Sequence, residues 1–168
     1  SVEKNYNPLI RNIMNLPKPV ICAVNGVAAG AGSSLALACD IVLAARSASF
    51  IQVFCKIGLI PDSGGTWNLP RAVGLARAKG LALLGDRLPA ETAEQWGLIW
   101  KCVDDDDLQA ETQKMARYFA TQPTRALGLI KKLLNESGTN TFVEQTDLEK
   151  DAMAELGRSA DYCEGVTA

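Results

Sequence analysis

Histidine is absent from all 168 residues. That excludes a Ser-His-Asp or Cys-His apparatus within this segment. Five cysteines (22, 39, 55, 102 and 163) are an odd number at wide spacing, with no C-x-x-C. A structural zinc site is therefore not expected. The same thiols fit a reduced, cytoplasmic protein. No apolar run reaches the roughly 18 residues that would span a bilayer, because Asp40 interrupts the longest candidate. Charge is balanced at −2 and the basic residues are scattered, which argues against a nucleic-acid or anionic membrane surface. No signal peptide opens the sequence, and Ser1 in place of Met leads us to expect an incomplete chain.

What the chain does hold is a hydrophobic fraction of 48% with 21% charged residues, enough for one domain with its own core. Two glycine-punctuated segments stand out. Gly26-Val-Ala-Ala-Gly-Ala-Gly32 bends the chain between an apolar run and a helix-like stretch. Glycine there permits close backbone approach, and an opening helix leaves N–H groups without internal acceptors. Such a terminus suits a developing oxyanion or a phosphate, although tight strand–helix packing explains small residues equally well. Pro61-Asp62-Ser63-Gly64-Gly65 places one carboxylate in a tight turn. Asp62 fits either a plain helix cap or a proton-transferring acid lined by Phe54, Ile57, Leu59 and Ile60, with Trp67 in the lining or in the core. A dinucleotide site fits poorly: no acid closes a strand at the spacing ribose binding needs, and Tyr6, Tyr118 and Tyr162 all lack a Tyr-x-x-x-Lys context.

The patterning alternates strands and helices and then turns all-helical. Residues 3–15 read as an amphipathic helix presenting Leu9, Ile10, Ile13 and Leu16, stopped by Pro17 and Pro19. Val20–Val24, Asp40–Ala44, Ala48–Val53 and Leu98–Val103 read as strands. Ser33–Ala38 and Pro89–Trp96 read as short helices, and 64–84 as helical patterning broken at Pro70 and Gly74. The acidic run Asp104–Asp107 reads as a solvated turn, with Asp107 free to cap the next helix. Three helices are then expected over Leu108–Thr121, Pro123–Glu136 and Phe142–Leu156, with Lys131, Lys132, Glu149 and Lys150 on exposed faces.

Several stretches carry a family resemblance. They are Lys18-Pro-Val-Ile-Cys-Ala-Val-Asn-Gly26, the run to Cys39-Asp40, and Gly58-Leu-Ile-Pro-Asp-Ser-Gly-Gly-Thr66. Leu69-Pro-Arg71, Gly85-Asp-Arg-Leu88 with Ala90 and Ala93, and Asp161 through Glu164-Gly165 extend it. In order and over nearly the whole length, they resemble the crotonase (enoyl-CoA hydratase/isomerase) superfamily.

The resemblance implies an α/β fold: a spiral of ββα units over residues 1–107 holding the active site, followed by a helical trimerisation tail over 108–168. It implies acyl-CoA thioesters as substrates, with CoA part of the substrate and no separate cofactor or metal. The partners it implies are further copies in a homo-trimer or hexamer, with a hydratase partner also conceivable. By position, the N–H of Ala31 matches one of the family's two oxyanion donors. The other comes from an upstream Ala-Gly-x-Asp loop that this sequence lacks, as if the chain began a third of the way in and ended before the final helix. The paired glutamates of hydratases are matched by Ser34 and Phe54, so water addition by that pair is not expected. Asp62 falls where isomerases and a dehalogenase keep an aspartate. Gly30, Ser34, Phe54, Ile57, Leu59 and Pro61 are expected to line the substrate. The narrower likeness implies isomerisation of ring-1,2-epoxyphenylacetyl-CoA to oxepin-CoA in phenylacetate breakdown. Shifting a double bond in fatty-acid oxidation, weak hydration, or a non-catalytic acyl-CoA-binding subunit stay as alternatives.

Overall fold

The computed structural model describes residues 1–167, which form two compact units: 1–14 with 20–116, and 15–19 with 117 onward.

In the first unit, a π-helical turn (Val2–Tyr6) leads into α1 (Asn7–Asn15). The strands β1 (Ile21–Val24), β3 (Ile41–Ala45) and β6 (Lys101–Val103) make one parallel sheet in the order β1-β3-β6. The register sets Ile21 beside Ile41 and Ala45 beside Val103. Near-continuous apolar strands of this kind belong to parallel sheets covered on both faces. Leu43 is fully buried at its centre, which stabilises the fold by about 1.5–3 kcal/mol. Asp40 ties the sheet's edge: its carboxylate accepts from Val20 N–H at 2.7 Å.

A second small sheet has β4 (Ser49–Ile51) between β2 (Val27–Ala29), parallel to it, and β5 (Arg87–Pro89), antiparallel. Between strands run α2 (Ala31–Leu37), a 3-10 turn (Val53–Ile57), α3 (Gly65–Val73), α4 (Leu75–Leu84) and α5 (Ala90–Gln95). The core gathers Leu43, Ala44, Phe50, Leu69, Leu88, Ala90, Ala93 and Leu108.

Several expectations shift by a few residues, and others are corrected. β2 and β5 fall where the patterning shows only loop, because three residues offer too little alternation to recognise. Pro70 does not break the helical stretch. It sits inside α3, where its missing N–H costs only the bond to the carbonyl of exposed Thr66, which water can satisfy. Gly74 does separate α3 from α4. The acidic run forms a 3-10 turn with Asp104 before it, and Asp107 N–H bonds back to Asp104 O rather than its carboxylate capping α6. This run is anchored to the Arg46-Ser47 turn. Asp104 Oδ1 lies 2.8 Å from Arg46 Nε, Asp105 Oδ1 accepts from Ser47 N–H at 3.0 Å, and Arg46 also pairs with Glu91. Hydrogen bonds from Ser47 hold the Asp105 carboxyl below its usual range.

The helix α6 (Leu108–Ala120) passes from the first unit's residues into the second's. The second unit holds α7 (Thr124–Glu136) and α8 (Phe142–Leu156), as expected, and a further helix α9 (Ala160–Thr167). Thr141 and Glu144 form a reciprocal capping box at the start of α8. Lys131 is not on an exposed face: it is 8% exposed, with Nζ donating to Lys18 O at 3.3 Å. Gly128 makes this approach possible, since a Cβ there would stand 2.7 Å from Pro17 O.

Candidate active site

The β2–β4 pairing sets the position of the first glycine segment. Ala29 lies beside Ile51, and the next residue, Gly30, donates its N–H to Ile51 O at 2.9 Å. Gly30 then takes φ 55° and ψ −125°, a conformation a side chain rarely adopts, and α2 starts at Ala31. A Cβ on Gly30 would meet Val53 Cγ1 at 3.4 Å and Phe54 Cζ at 3.7 Å, so the Phe54 ring lies against this bend. Ala31 is the first residue of α2, so its N–H has no acceptor within the helix.

The second glycine segment is a tight turn between the 3-10 stretch and α3. Gly65 N–H donates to Asp62 O at 2.8 Å. Ser63 and Gly64 take φ of 53° and 78°, two successive left-handed residues. For a buried serine this is strain that the surroundings must hold in place. Asp62 is half-buried, and its Oδ1 is shielded from solvent with no protein donor. A carboxylate oxygen so placed is an acceptor in waiting: it can take a proton or a hydrogen bond from a ligand.

The two segments meet through Ser34 and Gly65. A Cβ on Gly65 would stand 2.7 Å from Ser34 Oγ and 3.0 Å from Pro61 Cβ. Only glycine lets α2 come this close to the acid turn. Contacts thus run from the Gly30 bend to Phe54 and to Ser34, and from Ser34 through Gly65 to Pro61 and the Asp62 turn. Ile57 and Leu59 do not close over it: they are 67% and 59% exposed, and Ile60 is 78% exposed. Of the apolar side chains expected to enclose the acid, Phe54 alone is buried in this chain. Trp67 is partly exposed, with the Arg71 guanidinium carbon 3.2 Å from its ring centroid.

Sequence reasoning missed Ser33, Gln52 and Asn68. Gln52 is 3% exposed and donates Nε2 to Ser33 Oγ at 3.1 Å. A glutamine directly after an apolar strand was the available signal. Among the described residues, no cluster of three or more His, Cys, Asp or Glu side chains could hold a metal ion. Nor is any helix among them long and apolar enough to cross a membrane.

Known proteins match this arrangement over its full length. The enoyl-CoA hydratase/isomerase family pattern covers residues 1–168. A 1,2-epoxyphenylacetyl-CoA isomerase of Escherichia coli (strain K12) is 62% identical over 168 residues, covering 100% of this chain and 64% of that protein. A probable enoyl-CoA hydratase of Rhodobacter capsulatus is 47% identical, covering 99% of this chain and 65% of that one. The crystal structure of an enoyl-CoA hydratase from Polaromonas sp. JS666 superposes with a TM-score of 0.96 at 39% identity, over 100% of this chain and 65% of its own. This chain therefore spans somewhat less than two thirds of the length of these relatives. The expected crotonase-type α/β fold is the fold found, and the chain belongs to the enoyl-CoA hydratase/isomerase family.

Proposed function

We propose that the intact protein is an acyl-CoA isomerase with one acid/base residue, converting ring-1,2-epoxyphenylacetyl-CoA to oxepin-CoA in phenylacetate breakdown. The observation that carries this reading is the buried, unpartnered Oδ1 of Asp62 on a strained turn packed against the start of α2. The 62% identity to the E. coli isomerase supports the choice of substrate. The Ala31 N–H receives the thioester oxygen, together with a second amide that this sequence does not supply. As negative charge grows on that oxygen, the amide stabilises it more strongly than it does the ground state. Asp62 takes a proton from carbon near the thioester and returns it elsewhere, so substrate and product have the same atoms. Enolate-like activation opens the three-membered ring toward the seven-membered oxepin. CoA arrives with the substrate, and neither a metal nor a redox cofactor takes part.

Gly30, Ser34, Phe54, Ile57, Leu59 and Pro61 line the acyl group in this reading. The exposed Ile57 and Leu59 are then covered by bound substrate or by protein outside this chain. We place the protein in the cytoplasm, in keeping with five cysteines that form no disulfide, and as a homo-trimer or hexamer.

The similarity to the Rhodobacter protein favours hydration of an enoyl-CoA as a second reading. Ser34 and Phe54 weigh against it, because neither can activate water. Turnover of ring-1,2-epoxyphenylacetyl-CoA, a 3-enoyl-CoA and a 2-enoyl-CoA by the intact protein separates the readings. The proposal expects the epoxide to give the highest kcat/KM, by about tenfold or more. Faster hydration of the 2-enoyl-CoA would overturn it.

A further inference from the structure

Gln52 has no part in the reaction proposed above, yet it stands where three segments converge. It directly follows β4, is 3% exposed, and its Nε2 donates to Ser33 Oγ, which lies in the first turn of α2. Its Oε1 is buried without a protein donor, and so is Ser34 Oγ. Both atoms face the same cradle. The point a Gly65 Cβ would occupy is 3.8 Å from Gln52 Oε1, 2.7 Å from Ser34 Oγ and 3.0 Å from Pro61 Cβ. Gly65 is also the residue whose N–H closes the Asp62 turn.

A buried amide carbonyl without a donor is costly, and so is a buried hydroxyl without a partner. The two atoms are not bonded to each other, but their chemistry is complementary: one bridging water would accept from Ser34 Oγ–H and donate to Gln52 Oε1. The glutamine amide thus holds α2 by its bond to Ser33 and faces the next serine across the Gly65 cradle. Its oxygen meanwhile abuts the turn that carries the acid.

We propose that Gln52 is a positioning residue for Asp62. It sets the separation between the helix start at Ala31 and the carboxylate by holding α2 against the Gly65 turn. What that separation serves rests on the proposed isomerase function. Gln52 acts through Ser33, Ser34 and Gly65, not on the acyl group.

The test uses the intact protein with Gln52→Met, which keeps the length and removes both polar atoms, and with Ser33→Ala. Amide hydrogen exchange is read at Gly65, with Leu43 as the internal reference. Exchange at Gly65 should rise about tenfold in either variant while Leu43 stays unchanged. Steady-state kinetics with the acyl-CoA that the wild type turns over should show kcat lowered about 10–100-fold and KM changed less than about twofold. The double variant should be no worse than Gln52→Met alone. Unchanged exchange at Gly65, or an equal rise at Leu43, overturns the proposal. So does an active wild type whose Gln52→Met variant keeps full kcat. A wild type that turns over no acyl-CoA sinks the isomerase reading instead, and the exchange measurement still decides the role of Gln52. Should Gln52→Met fail to fold, Ser33→Ala supplies the same two readouts.

Discussion

At Ser63, a φ of 53° is imposed on a serine that is 2% exposed. Left-handed backbone at a non-glycine residue costs about 1–3 kcal/mol. Ser63→Gly removes that strain but adds about 0.5–1 kcal/mol of chain entropy to be lost on folding, so stability should be unchanged or rise by up to about 2 kcal/mol. Gly65 offers no such freedom of choice. A methyl group there would lie 2.7 Å from Ser34 Oγ and 3.0 Å from Pro61 Cβ. Overpacking of this kind costs about 1–3 kcal/mol, because the pyrrolidine ring cannot rotate away. Gly65→Ala should therefore lower the thermal midpoint by several degrees, and turnover should fall further than stability alone accounts for, because α2 is pushed from the acid turn. An unchanged midpoint in a calorimetric scan would show that the two segments do not pack as described.

At the level of elements, α8 is held open by its capping box: Thr141 Oγ accepts from Glu144 N–H at 3.3 Å, and Glu144 Oε2 accepts from Thr141 N–H at 2.8 Å. Thr141→Ala should cost about 1 kcal/mol in denaturant titration. The bond from Thr141 N–H, and then that from its hydroxyl, hold the Glu144 carboxyl below its usual value. The unfolded chain therefore takes up this proton first. The stabilisation is present above the unfolded carboxylate's pKa and is lost as pH falls through the folded one. Wild type and Glu144→Gln should differ in unfolding midpoint near neutral pH and converge on acidification; a constant gap would contradict this. The long amphipathic elements, α7 and α8 among them, are legible in the sequence because each spans several turns with consistent caps and breakers. The three-residue strands β2 and β5 are not, since their identity lies in pairing with β4. Lys131 escapes the pattern for a related reason: Gly128 lets Pro17 and Lys18 close over it, a contact more than 100 residues distant along the chain. At the candidate site, the glycine spacing marks the bend at Gly30 and the tight turn that carries Asp62. Gln52 stays hidden because its meaning depends on Ser33, Ser34 and Gly65 arriving beside it.

For the whole molecule, the helical second unit exposes large apolar side chains, including Phe142 at 82%, Met153 at 70% and Leu134 at 68%. Association that covers such surface fits the proposed trimer. Sedimentation of the intact protein should give a trimer or hexamer, and a monomer at micromolar concentration would count against it. The proposed reaction needs the acid turn and the helix start together with protein beyond this chain, so the decisive experiment uses the intact protein. Asp62→Asn keeps shape and hydrogen-bonding reach while removing the proton acceptor. On ring-1,2-epoxyphenylacetyl-CoA it should leave KM within about threefold and lower kcat by about 10²–10⁴. A kcat within about threefold of wild type would mean that another group moves the proton.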